Sequence, residues 1–423
     1  MNMKQRSDSP VKHGAPPTEE PVSPLYTKMA ILTHSLIFMY STAFWIQVGV
    51  MPFLSKSLGA DPVMFGYMET VFAVAMLLGG PIFGRFGDLF GARSALLVAF
   101  FSSLLSYLTL ALAHSIPALF LSRIFAFMMH AMHGAQMVMT DVSSAKQRAD
   151  ALGKLSVSYG VGMVVGPTLG GYIVTWFSMN SAAAVAAGLC LVSMATVLAF
   201  IPATTKDQAK ISRSDTKVHD SGGVLDLSAI LSLLKIPSVL FIVVLKAAVG
   251  VPAGVFHAMF TMVNLERFEL TPESNGRLLS YVGVLTMIMQ GFGVGYFSKR
   301  LSDSVLLRLS IAVMTLSYLL LSFANTIVML CLVMIPMVMS GALLNTIASS
   351  TITKSVPETA TGTSLGLSMA THSIIRTVSP TLGGYMYSMV GYASFGLLGF
   401  VMNGSVALYL AVLGGDKLTA VLG

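Results

Sequence analysis

The hexapeptide Pro-Thr-Leu-Gly-Gly-Tyr occupies Pro167 to Tyr172, and the same six residues return at Pro380 to Tyr385, 213 positions further on. Gly153 and Gly366 match at that same offset. A direct repeat of about half the chain is what two equivalent halves, related by an axis along a membrane normal, leave in a sequence. The hexapeptide also falls at an equivalent place in each half, in the fifth of six apolar runs.

Those runs span 29–54, 63–84, 94–113, 116–139, 151–177 and 181–201, then 238–263, 277–297, 305–323, 326–352, 362–388 and 391–413. Each is long enough for one helix across a hydrocarbon layer of about 30 Å, which takes about 20 residues. The expected fold is therefore an all-α membrane protein of 12 transmembrane helices in two six-helix halves. Composition agrees: 55% of the 423 residues are hydrophobic, only 10% are charged, and the mean hydropathy is +0.78. A soluble chain of this length cannot bury so much apolar surface.

Four segments follow. Residues 1–28 form a polar tail with Pro10, Pro16, Pro17 and Pro21, expected to be disordered and lacking the apolar core of a signal peptide. Residues 29–202 make the N-terminal half, 203–237 a polar linker and 238–423 the C-terminal half. Within the linker, Leu225, Leu227, Ile230, Leu231 and Leu234 suit either a short amphipathic helix at the membrane interface or the ragged start of the seventh span.

The net charge of +7 does not point to nucleic acid, because Lys and Arg stand in short loops between apolar runs. Counted by side, 19 fall with the two termini and the linker, and 3 (Lys56, Arg267 and Arg277) on the other side. Since basic residues accumulate on the cytoplasmic side, both termini are expected there. Cys190 and Cys331 lie in apolar stretches of different halves and imply neither a disulfide framework nor a thiolate metal site. No metal-ligand set at helical spacing, nucleophile elbow or carboxylate pair supports an enzyme. His130 and His133 alone supply too few ligands for a metal, and no cofactor is expected. The sequon at Asn403 lies inside the last span and is expected to stay unmodified.

Between the second and third runs stands GRFGDLFGAR, from Gly84 to Arg93, with glycines for a tight turn, an acid at Asp88 and a base at Arg93. The loop resembles the signature of the major facilitator superfamily, Gly-x-x-x-Asp-Arg-x-Gly-Arg-Arg, with Gly84, Asp88, Gly91 and Arg93 retained and Leu89 and Ala92 replacing two arginines. The resemblance implies a latch in which Asp88 meets a helix N-terminus of the other half and a neighbouring base. Asp141, Arg148 and Gly153 match a further pattern of the drug:proton antiporter branch, which offers Asp141 as a partner for Arg93. In the fifth run Gly162, Gly166, Pro167, Gly170 and Gly171 resemble that branch's antiporter motif. Three of these glycines share one face at four-residue spacing, so a neighbouring backbone can approach. Read without the resemblance, these motifs are a solvated turn and ordinary tight packing.

Intramembrane ionisable groups are functional candidates by default. Glu69 is the sole acid within the spans. It suits a proton acceptor or cation contact, or else a structural ion pair with Arg123 or Lys246. Arg123 matches the family's intramembrane arginine linked to proton transfer, and His130 lies two helical turns on, with His133 further round. A histidine titrates near pH 6.5, which suits a proton carrier, although a buried one is more often simply hydrogen-bonded. Lys246, Asn345, His372 and Arg376 complete the expected substrate and proton pathway. His34, Gln47, His257 and Gln290 are further polar residues within spans.

The stretches MPFLSKSLG, FGYMETVF and QMVMTDVSS carry a resemblance, over nearly the whole chain, to organic cation transporter-like solute carriers close to the tetracycline-type drug:proton antiporters. The resemblance implies exchange of a small organic solute for protons across an apical plasma membrane or an endomembrane, with the lipid bilayer as surroundings and a monomer favoured. Against cations, the spans carry three bases to one acid, which favours anionic or zwitterionic cargo unless those bases are paired. A non-transporting receptor or scaffold acting on lipid metabolism is the alternative from another class. The 29 methionines and 24 phenylalanines suit a pliable pocket, or merely lipid-facing surface.

Overall fold

The computed structural model describes residues 24–144, 147–205, 234–354 and 361–413, and among them every regular element is helical. In chain order the N-terminal half comprises α1 (Pro24–Ser57), α2 (Pro62–Ala111), α3 (Ile116–Ile124), α4 (Ala131–Val142), α5 (Arg148–Trp176) and α6 (Met179–Phe200). The C-terminal half comprises α7 (Pro237–Phe268), α8 (Pro272–Ile288), α9 (Val294–Ser298), α10 (Asp303–Ser322), α11 (Ile327–Lys354), α12 (Thr361–Val390) and α13 (Ala393–Leu413). Ten helical segments of the described residues are long and apolar enough to cross a membrane. One of them, α2, has 50 residues, about 75 Å at 1.5 Å per residue, which is enough for two crossings. Its turning point is Gly91, whose φ of 84° favours glycine. The 30-residue α12 has the length of a span but is more polar, with Thr371, His372 and Arg376 along it.

Short connections alternate the helix directions, so the start of α1, the ends of α6 and α13 and the start of α7 share one end of the bundle. That end carries most of the basic residues and is called the basic end below. Clusters around Leu36, Phe83 and Phe100, and around Ile46 and Tyr107, fill the N-terminal half, while a larger cluster around Phe256, Met259 and Tyr318 fills the C-terminal half and takes in Met51, Leu54, Phe65 and Met68 of the other. Large apolar side chains such as Trp176, Phe292 and Met389 point outward, as lipid requires.

The halves meet along two equivalent seams, α2 with α12 and α5 with α8. In the first seam a Cβ on Gly66 would come within 2.5 Å of the Pro380 carbonyl, and one on Gly384 within 2.7 Å of the Pro62 carbonyl. In the second, Gly276 stands in the same way over the Pro167 carbonyl, closer still, and Gly171 over Pro272, at 2.6 Å. Thr70 then bonds Thr381 at 2.8 Å, and Ser280 bonds Thr168 at 2.7 Å. The glycines thus let two backbones touch, and hydroxyls bond across the contact, in the manner of helix packing in lipid. Further ties are Tyr67 with Tyr385, Asn275 Nδ2 to Gly49 O at 3.3 Å, and the Lys56–Glu266 ion pair at 2.8 Å. All lie away from the basic end. Toward the basic end, Gly84, Gly91, Gly153, Gly291, Gly295 and Gly366 have open space where a Cβ would stand.

The structure departs from the sequence expectation in three places. The first helix starts at Pro24 rather than residue 29, because a proline's fixed φ and missing N–H are harmless in a first turn. The eighth starts at Pro272 rather than 277, where the Thr271 side chain accepts from Ser274 N and caps a polar first turn. The fourth run, expected to be one helix over 116–139, is broken: α3 ends at Ile124, a 3-10 turn covers Phe125–Met128, and Met129 and His130 are non-helical before α4 begins. The remainder of the tail, residues 1–23, and the amphipathic segment at 225–233 lie outside the described residues.

Gly66→Val forces the α2–α12 seam apart. It is expected to cost about 1–3 kcal/mol, as overpacking does. The melting temperature of the purified protein should fall, and a polar maleimide should label a Thr381→Cys background faster. Unchanged melting and labelling would count against a close seam at this contact.

Candidate functional site

A cavity of about 730 Å³ lies between the halves, lined from α1, α2, α3, α4, α5, α7, α8, α11 and α12 and from the break between α3 and α4. The seams close it on one side. Its walls are largely aromatic and aliphatic, with Tyr40, Phe44, Trp45, Phe72, Tyr159 and Phe260 among them, and its polar groups are few and specific.

All eight residues expected on the pathway line this one space: Glu69, Arg123, His130, His133, Lys246, Asn345, His372 and Arg376. Gln47 and His257 join them. Arg123, 1% exposed, is the largest fully buried side chain among the described residues, and its Nη2 stands 3.8 Å from Glu69 Oε1. Oriented with its carbonyl toward the guanidinium, Gln47 accepts from Arg123 Nη1 at 2.5 Å and Nη2 at 2.9 Å. A buried cation needs such company, since removing its hydration costs several kcal/mol that only an opposite charge and hydrogen bonds restore. Glu69 is thus held by Arg123. The other two bases have no acid among the described residues. Lys246 donates to Ser368 Oγ at 2.5 Å, and Arg376 faces the cavity with its guanidinium carbon 5.8 Å from the Phe72 ring. The Arg123 guanidinium lies 5.5 Å from the same ring.

The motif residues fall elsewhere. Gly162, Gly166 and Gly170 bring α5 against α1, where a Cβ on Gly162 would meet Ser41 at 2.6 Å and one on Gly166 the Thr42 carbonyl at 2.7 Å. Gly171 and Pro167 belong to the second seam instead. In the signature loop Asp88 is exposed and makes no hydrogen bond or ion pair with the described residues, while Gly87 packs against Met137. Arg93 Nη2 donates to Leu198 O at 2.8 Å, and Asp141 accepts from Thr205. Arg148 is the exposed first residue of α5. No cluster of three metal-ligating side chains occurs among the described residues. His34 bonds Ser158 at 2.8 Å between α1 and α5, Asn403 is buried with its amide donating to Gly399 O at 2.8 Å, and Cys190 and Cys331 are free thiols.

Sequence reasoning offered Glu69 as a partner for Arg123 but missed Gln47 and the hydroxyls of the seams. A signal for Thr70 and Ser280 exists, because Pro62-x3-Gly66-x3-Thr70 and Pro272-x3-Gly276-x3-Ser280 repeat one pattern. Gln47 and the helix break carry no such signal in a single sequence.

Two helical halves around a shared central cavity define a multi-pass membrane protein. The chain belongs to the Major Facilitator Superfamily, whose model matches residues 33–312 and 264–418. It is 37% identical over 390 residues to solute carrier family 67 member A1 of Homo sapiens, covering 91% of this chain and 92% of that one. To solute carrier family 22 member 18 of Mus musculus it is 37% identical over 385 residues, covering 90% and 94%. Among solved structures, the nucleoside transporter NupG superposes with a TM-score of 0.66 at 15% identity, over 92% of this chain and 98% of that one, a likeness of fold alone.

Glu69→Gln leaves Arg123 buried with Gln47 as its remaining partner. The expected loss of stability is up to about 3 kcal/mol, the lower range for breaking a buried pair, because Glu69 itself faces the cavity. The double variant Glu69→Gln/Arg123→Met should melt above Glu69→Gln. Thermal unfolding of the two purified variants decides this, and a double variant that melts lower would show that the pair is not a unit.

Proposed function

We propose that this protein is a secondary active transporter that moves organic anions or zwitterions by alternating access, with Glu69 as the proton-linked group. The observation that carries the reading is the charge inventory of the cavity. Glu69 is spent on Arg123, which leaves Arg376 and Lys246 with no acid among the described residues to neutralise them in a largely apolar space. Positive charge at low dielectric attracts an anion and repels a cation.

Alternating access rests on the seams. They are made of reversible backbone contacts and hydroxyl pairs, while at the other end Asp88 and the glycines around it stand clear. With the basic end in the cytoplasm, as charge distribution favours, the conformation is open to the cytoplasm. The signature loop would latch when the halves rock the other way. Protonation of Glu69 would release Arg123, a local charge change at the middle of the bundle that a proton gradient could drive.

Exchange of organic cations for protons is the second reading. It is favoured by the antiporter-like glycines of α5 and by an acid in the cavity, and it requires Glu69 to leave Arg123 for the cargo.

Uptake into proteoliposomes of two permanently charged probes with one ring, cyclohexanesulfonate and cyclohexyltrimethylammonium, separates the readings. The sulfonate should enter faster, Arg376→Gln should slow it at least about fivefold, as loss of one charge-assisted contact does, and an imposed pH gradient should change its rate. Faster uptake of the ammonium reverses the charge assignment. Indifference to the gradient removes proton coupling.

A further inference from the structure

We infer that the break between α3 and α4 is a built subsite for the oxyanion group of the cargo, a carboxylate, sulfonate or phosphate ester, with His130 and the first amides of α4 as its donors. The inference deepens the anion reading of the cavity and rests on it.

Breaking a helix frees carbonyls on one side and amides on the other. Here most of the carbonyl side is answered. Tyr40 Oη donates to Met129 O at 2.7 Å, and Ser102 Oγ donates to Phe125 O. The donor side is not. Met129 and His130 interrupt the helix, His130 capping α4 with no side-chain hydrogen bond, so the amides of Ala131 and Met132 begin a new helix and have no partner within it. His130, 5% exposed, has both ring nitrogens buried with no hydrogen-bond partner among the described residues. The Phe127 and Met76 backbones lie near the ring, outside hydrogen-bond geometry. A buried imidazole left so costs free energy, and unpaired buried donors in one place call for an acceptor.

The geometry leaves room for that acceptor on the cavity side. Met129, His130, Met132 and His133 all line the cavity, so the start of the 12-residue α4 opens into it. The positive end of α4's dipole and the unneutralised Arg376 of the facing half favour negative charge there. The break itself is fixed from behind, since any Cβ on Gly79 would overlap the Phe127 carbonyl and Gly80 lies against His130 Cε1. The Phe83 and His133 rings each stand 5.4 Å from the His130 ring, centre to centre, and set its plane. Irregular backbone at membrane depth is tolerated where it lines a cavity, and half-helix ends there bind anionic groups.

Trp45 lines the cavity, and the chain's other tryptophan, Trp176, points outward, so full-length protein carrying Trp176→Phe reports binding through Trp45 emission. Cyclohexanesulfonate and the neutral cyclohexanesulfonamide are the probes. The sulfonate should bind about tenfold tighter, the worth of one or two charge-assisted hydrogen bonds. His130→Leu should remove most of that preference, and His130→Gln, which keeps a donor, should retain it. In the unaltered chain the sulfonate, and not the sulfonamide, should slow amide hydrogen exchange across residues 129–134, a readout independent of whether any variant folds. Full preference in a folded His130→Leu protein, or no slowing at 129–134, overturns the subsite. The anion reading itself survives that result if Arg376→Gln abolishes the preference. Equal binding of the two probes by the parent protein overturns both.

Discussion

A peptide group in hydrocarbon has no water to bond, so every departure from a helix within these spans must be answered by protein or opened to a cavity. That constraint organises the molecule. At Pro167 and Pro380 the helices lose a ladder bond, and both prolines stand at seams where the neighbouring helix is Gly276 or Gly66 and can come close. At Gly91 the turn between crossings takes a positive φ with open space around it. At Met129 and His130 the helix opens toward the central cavity, with Tyr40 and Ser102 attending its carbonyls. This last departure faces the central cavity, with the first amides of α4 at its wall.

The same constraint explains why the halves can part. Within each half, buried aromatic and aliphatic side chains interlock, around Phe83, Phe100 and Tyr107 in one and Phe256 and Tyr318 in the other. Between the halves small residues meet backbone and hydroxyls such as Thr70 and Ser280 bond across, beside a patch where Met51, Leu54, Phe65 and Met68 join the larger C-terminal cluster. In the motion proposed above, interlocked cores would move as bodies, and the glycine-lined contacts would give way more readily than the apolar patch around Phe65 and Met68. The repeat in the sequence is therefore more than ancestry. It places the same Pro-Gly-hydroxyl arrangement on both sides of the axis, as the rocking motion proposed above would require.

How much of this the sequence carried differs by the length scale of the signal. Span number and the two halves were legible because hydrophobic runs of about 20 residues and a 213-residue repeat are properties of the chain alone. The pathway residues were legible for a related reason. A charge such as Arg123, Lys246 or Arg376 inside an apolar run has few places to go but a cavity. The Glu69–Arg123 pair was among the readings open to sequence, but Gln47 was not, since it reaches Arg123 from 76 residues away in the chain and nothing local marks it. Nor was the break at His130, where Phe125 to Ala131 reads as good helix by pattern and is overridden by the Gly79 backbone pressed against Phe127. Arg93 likewise finds Leu198 O, an acceptor that no motif marks, because α6 ends beside that arginine.

Charge and backbone then point the same way by separate routes. The side-chain inventory leaves positive charge unspent in the cavity, and the backbone leaves N–H donors unspent at its wall. Either alone is weak: a lone arginine can be solvated by cavity water, and a helix start can be capped by its own side chain. Together they make a cation at this place costly twice over, since it would meet Arg376 and also leave the donors of α4 unsatisfied, whereas an oxyanion relieves both. A cavity built to hold a cation would need the reverse, with carbonyls left free and hydroxyls absent from them. Tyr40 and Ser102 occupy the positions that would have to be empty.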